Sequence, residues 1–113
     1  MKIASLTKDL IYKDNKPSIQ VLLETETSKE IRIAFKKGQH MKEHKTPFPI
    51  VVEVFEGEIN FGVKGIQHLL SKGNLIALKG NIPHDLTATE DSIVRLSLNL
   101  KDSITRVQEV ANS

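Results

Sequence analysis

In the stretch Ser92-Ile93-Val94-Arg95-Leu96-Ser97-Leu98-Asn99-Leu100, the residues Val94, Leu96, Leu98 and Leu100 fall on one face, and Ile93, Arg95, Ser97 and Asn99 on the other. Successive side chains of extended backbone point to opposite sides, so a period of two marks a half-buried strand. The same pattern recurs upstream. Ile31, Ile33 and Phe35 share a face in Glu30–Phe35, which stops at Lys36-Lys37-Gly38. Ile50–Phe55 is apolar and β-branched, ends at Glu56-Gly57, and restarts as Ile59, Phe61 and Val63. That break predicts a hairpin turning at Gly57, since glycine tolerates positive φ. Lys64-Gly65, Lys72-Gly73-Asn74 and Lys79-Gly80-Asn81-Ile82-Pro83 mark further turns, separating Ile66–Leu70, Leu75–Leu78 and His84–Ala88. Strands are also expected at Ile19–Leu23 and near Ile3–Leu6.

Only the last residues have helical spacing. Ile104, Val107 and Val110 suit one or two helical turns, so 101–113 reads as a short helix or a tail. Eight or more short strands joined by tight turns predict an all-β sandwich or barrel. With 113 residues and no internal repeat or linker, residues 1–113 form one domain.

Composition removes several functional classes. The absence of cysteine excludes a disulfide framework, a thiolate metal site and a cysteine nucleophile. Sixteen basic and fourteen acidic residues give a net charge of +2, too balanced for a dedicated nucleic-acid or membrane-surface protein. No apolar run approaches the ~20 residues that span a bilayer, and the first residues lack a signal peptide's apolar stretch. The expected location is the cytoplasm. No serine–histidine–acid set and no phosphate-cradling glycine loop stands out. Glu56 and Glu58 flank Gly57 as turn residues.

A glycine–histidine pattern crosses the middle of the chain. Gly38 precedes His44 by five intervening residues, and Gly57 closes the segment; Gly73 opens a second one that contains Pro83 and His84. Fifteen residues separate Gly57 from Gly73. Over about residues 30–100, this pattern resembles the two motifs of the cupin superfamily. The resemblance implies a small jelly-roll barrel, with His44 and His84 facing its cavity. Cupins often hold a metal there on three histidines and a glutamate. In this chain the second histidine position is Thr46 and the glutamate position is Ile50.

Residue parity bears on whether other groups replace those ligands. Glu43 and Asp85 adjoin the two histidines and point to the opposite faces; Glu53 is out of parity with Ile50. His40 shares parity with His44, but four extended residues hold the two about 13 Å apart unless Gln39–Glu43 bends inward. A stable Zn, Fe, Mn or Ni site needs at least three protein ligands. The expected pocket lining is His44, Thr46, Ile50, Val52, His84 and Leu86. Phe48, between Pro47 and Pro49, either covers the pocket mouth, packs against a second subunit or joins the core. His68 reads as an ordinary strand residue at an edge or on the core face. The lysines at 36, 37, 42 and 45 either attract an anionic ligand or act as solvated protection of a strand edge.

Two functional expectations follow from the resemblance. One is a binding module that holds a small organic molecule in an apolar pocket containing two histidines. The other is a metal-dependent oxygenase or isomerase with His44 and His84 as ligands and His40 or water completing the shell. A metal-free variant would use either histidine as a general base. The resemblance also implies a homodimer, formed through strand exchange or sheet-to-sheet contacts, with the Ile3–Leu6 strand available for that purpose.

Overall fold

A computed structural model describes residues 1–113. Nine strands and one helix follow in order: β1 (Ser18–Glu24), β2 (Ser28–Phe35), β3 (His40–His44), β4 (Ile50–Glu56), β5 (Glu58–Val63), β6 (Ile66–Ser71), β7 (Leu75–Leu78), β8 (His84–Ala88), β9 (Ser92–Asn99) and α1 (Ile104–Ala111). They form two antiparallel sheets, ordered β1-β2-β9-β4-β7 and β3-β8-β5-β6. From β2 onward the chain steps repeatedly between the sheets, which gives the strand order of a jelly roll. The alternating faces close over one core. Ile31, Ile33 and Phe35 from β2, Val52 and Val54 from β4, Ile59 and Phe61 from β5, and Val94, Leu96 and Leu98 from β9 all belong to it. Val107, Val110 and Ala111 of α1 cover one end. No helix is long and apolar enough to cross a membrane.

The structure corrects two sequence expectations. The break at Gly57 is not a hairpin, because β4 and β5 lie in different sheets. Gly57, at φ +84°, is the corner where the chain crosses between them. A Cβ there would sit 2.3 Å from Ser92 Oγ and 2.4 Å from the Asp91 carbonyl oxygen. The buried Ser92 hydroxyl accepts from the Glu58 amide at 3.0 Å and donates to the Glu90 carbonyl at 2.8 Å, so the corner is tied to the start of β9. The two-residue turn Lys64-Gly65, by contrast, makes a true hairpin of β5 and β6, with φ +53° and +76°.

The second correction concerns the N-terminus. Ile3–Leu6 forms no strand, and Ile3 is 85% exposed. What fixes this segment is Arg32, a buried residue of β2. Its guanidinium donates to the carbonyls of Ser5, Lys8 and Asp9 and to Gln20 Oε1. Backbone oxygens thus hold the segment to an arginine, and its own apolar residues remain outside the core.

Gly57→Ala therefore combines a positive φ with a backbone collision and should cost about 3 kcal/mol or more. Gly38→Ala, also at positive φ but with open space around its Cβ, should cost about 1 kcal/mol. Urea unfolding midpoints at unchanged slope measure both; equal losses would contradict the close approach at Gly57.

Candidate functional site

The site lies where β3 and β8 run side by side. Their register pairs His40 with Thr87, Met41 with Leu86, and His44 with His84. Between Met41 and His44 there is one more residue on β3 than on the facing stretch of β8, a β-bulge. The bulge resets the alternation, so Met41 and His44 both face inward although their spacing is odd. His40 is consequently exposed on the outside, and the bend that could have brought it to His44 acts in the opposite sense. The parity argument for Asp85 and Glu43 holds, for neither lines the cavity.

His44 and His84 meet with ring centroids 4.3 Å apart at 60°, edge to face. His84 also stacks on Phe61 of β5, with centroids at 5.5 Å and planes within 6°. Each ring is anchored by Nδ1: His44 to the Lys42 carbonyl at 2.7 Å, and His84 to the Ile82 carbonyl at 2.9 Å. A carbonyl can only accept, so Nδ1 carries the proton in both rings. Nε2 is left as a lone-pair acceptor on each neutral imidazole. Burial drives His44 down to about 4, aided by the charges of His84 and Arg106 and opposed by the Lys42 carbonyl and Asp85. Burial likewise lowers His84, with Arg106 pushing the same way and the Ile82 carbonyl, Asp85 and Glu43 opposing. Both rings are neutral at pH 7.

The cavity beside them is lined by Ile33, Met41, His44, Thr46, Ile50, Val52, His84, Leu86, Val94, Leu96, Leu98, Arg106 and Val107. Six expected positions (His44, Thr46, Ile50, Val52, His84 and Leu86) lie together here. Phe48 does not: the Pro47–Pro49 loop carries it away from the cavity, and it is half-buried. The free space for the centre of a water-sized sphere is about 20 Å³. That is room for roughly one water.

Sequence reasoning missed the polar knot at the cavity's end. Thr46, buried, donates its hydroxyl to Asp102 Oδ2. Arg106 grips the same carboxylate through Nε at 3.1 Å and Nη2 at 3.0 Å, and the Ser103 amide donates to Oδ1 at 2.8 Å. Burial alone would raise the Asp102 carboxyl. The hydrogen bonds from Arg106, Thr46 and Ser103 outweigh it and hold the group below its ordinary value. The available signal was the i,i+4 spacing of Asp102 and Arg106 across the start of the helical segment.

This donor set does not fit a resident metal. Two imidazole nitrogens are present, Ile50 offers no donor, and the Thr46 hydroxyl is committed to Asp102. No cluster of three histidine or carboxylate groups occurs, and the Arg106 guanidinium adds positive charge beside the rings. A stable site for the transition ions would need at least one more ligand.

With the geometry described, its likenesses can be stated. No family model matches the sequence, and no curated protein matches it significantly. Solved structures do. An RmlC-like cupin from Desulfovibrio desulfuricans superimposes with a TM-score of 0.80 at 24% identity, over 88% of this chain and 96% of that one. An RmlC-like cupin from Shewanella frigidimarina gives 0.74 at 20%, over 88% and 91%. A protein with a double-stranded β-helix domain from Klebsiella pneumoniae gives 0.76 at 22%, over 88% and 89%. The protein has the cupin fold.

Two outcomes follow from the site. Because the folded His44 is depressed below its unfolded value near 6.5, the unfolded chain takes up a proton first as pH falls. Stability is therefore full above pH 6.5 and drops by roughly 2–3 kcal/mol by about pH 4. Urea unfolding across that range should show the drop, and His44→Asn, which can keep a donor to the Lys42 carbonyl, should flatten much of it. Asp102→Asn, which removes the charge facing Arg106, should cost about 1–3 kcal/mol in the same assay. A neutral result would deny the knot a structural role.

Proposed function

We propose that this cupin-fold protein binds a small organic molecule in the cavity beside His44 and His84. The observation that carries this reading is the state of the two rings. Both are pinned at Nδ1, both are neutral, and each retains an unpartnered Nε2 in a mostly apolar cavity. Such an arrangement suits a ligand that donates one or two hydrogen bonds, from hydroxyl, enol or amide groups, and buries an apolar body. Arg106 adds a nearby cation. Its Nη1 is free of the Asp102 pair, so an oxygen acceptor or carboxylate on the same ligand complements it.

Size adds a condition. About 20 Å³ does not admit an organic molecule, so entry requires that part of the lining move. The helix α1 is the element suited to this. It contributes Arg106 and Val107 to the lining and covers the core end through a single short amphipathic face.

A thermal-shift screen of small hydroxylated and carboxylated compounds tests the proposal. The expected result is a stabilising compound whose effect falls at least about tenfold in apparent affinity in His84→Leu and in His44→Leu. Metal analysis of the purified protein runs beside it. A stoichiometric metal lost in both variants, or hits indifferent to both, would overturn the proposal and favour the metal-dependent reading.

A further inference from the structure

Backbone hydrogen bonds lace the strands together, but they do not hold α1. The last ones at the barrel run from the Leu100 amide to the Thr27 carbonyl at 3.0 Å and from the Asp102 amide to the Asn99 carbonyl at 2.9 Å. Beyond them, the amides of Val107, Asn112 and Ser113 all bond to carbonyls of the helix or its cap. The helix has eight residues, no acid in its first turn and no base in its last, so no charge complements its dipole. Its stability therefore comes from what it packs against. Only Val107, Val110 and Ala111 are buried there, with Ile104 partly so, and the strand they meet is β3, which carries Met41 and His44.

Two polar contacts tie the helix down. At its C-terminal end Lys16 Nζ donates to Asn112 Oδ1 at 2.8 Å, in an exposed place. At its N-terminal end Arg106 grips Asp102. Asp102 itself belongs to the barrel. Its amide is held by Asn99, its carbonyl accepts from Lys29 Nζ at 2.8 Å, and its carboxylate takes the Thr46 hydroxyl. Asp102 is thus a fixed post and Arg106 the hook upon it. The space around the helix is uneven. Towards the histidines there is about 20 Å³, whereas a cleft between Lys13, Lys16, Pro17 and Ile19 and the helix residues Gln108 and Asn112 holds about 200 Å³ by the same measure. The last turn of α1 has room to shift on that side.

We infer that α1 is a latched lid: it pivots as one unit at Asp102-Ser103, with the Arg106–Asp102 pair as its latch, while the two sheets stay closed. Outward motion withdraws Arg106 and Val107 from the lining and opens the cavity towards Met41 and His44. The purpose of the lid rests on the binding reading above, for which it supplies the route of entry. The latch also bears on how binding is regulated. Arg106 holds the post through Nε and Nη2 and leaves Nη1 for a ligand oxygen, so closure and recognition draw on one side chain. The motion itself is measurable with no ligand present.

The chain has no cysteine, so single introduced thiols report the opening. Met41→Cys places one in the cavity lining and Val54→Cys one in the core outside it, both at buried positions. Their reaction with iodoacetamide is followed at rising urea below the unfolding transition, relative to each unfolded variant. The Met41→Cys thiol should react about tenfold or more faster than the Val54→Cys thiol and respond little to urea, because lid opening exposes little surface. Adding Asp102→Asn should speed it by about a further tenfold, and Arg106→Met should do the same from the other side of the latch. Adding Ile59→Val, which weakens the sheets alone, should speed only the Val54→Cys thiol. Equal protection with equal urea dependence at both thiols overturns the inference, since the helix then leaves only when the barrel unfolds. So does a Met41→Cys thiol indifferent to both latch variants. Ligand hits on a protein that opens only globally would sink the lid and leave the binding reading; a latch-dependent opening with no ligand found would do the reverse.

Discussion

The pairing of β3 with β8 is the constraint on which the site depends. Two histidines forty residues apart in sequence become direct partners in a ladder, and the ladder fixes their separation and tilt before any side-chain preference acts. The bulge before His44 does the rest of the positioning. Without the extra residue, Met41 and His44 would fall on opposite faces, and one of them would leave the core. The carbonyls of Lys42 and Ile82, each two residues before its histidine, then select the tautomer. Backbone geometry therefore decides which nitrogen each ring offers to the cavity.

That geometry explains what was legible in the sequence. Strands such as β2 and β9 declare themselves because one face meets the core and the other meets solvent, so composition follows the pleat. Parity correctly placed Asp85 and Glu43 outside for the same reason. It failed for His40, because a bulge changes parity without leaving a compositional trace in His40-Met41-Lys42-Glu43-His44. The Gly57 corner was misread as a hairpin for a related reason. A glycine with positive φ looks alike in a turn within one sheet and in a crossing between two; only the proximity of Ser92, thirty-five residues away, separates the cases.

Arg106 and Asp102 were hidden differently. Their i,i+4 spacing marks only a local pair, and its meaning comes from Thr46, which the β3–β4 loop brings to Asp102 from 56 residues away in sequence. This knot joins the loop to the start of α1 beneath the cavity's cover. A buried carboxylate with four donors around it strongly favours the assembled state, since loss of any one partner leaves charge in a poorly solvated place. Helix α1 itself is short and amphipathic, and an isolated helix of this length would be marginal. Its position on the barrel thus rests on Asp102 and on the packing of Val107 and Val110.

The electrostatics of the cavity follow from the same substitutions. A carboxylate at position 50 would have made the enclosure attract a cation; Ile50 makes that wall apolar, and Arg106 supplies a fixed positive charge. Burial, with the guanidinium of Arg106 acting in the same direction, lowers both imidazoles, and the acceptor nitrogen of His44 persists down to about pH 4. The result is a small enclosure that combines lone pairs with a cation and contains no free anion. The ligand proposed above, with donor hydrogens and an electron-rich oxygen close together, would complement it. That combination distinguishes this cavity from one organised around a metal, although the surrounding barrel is of the same kind.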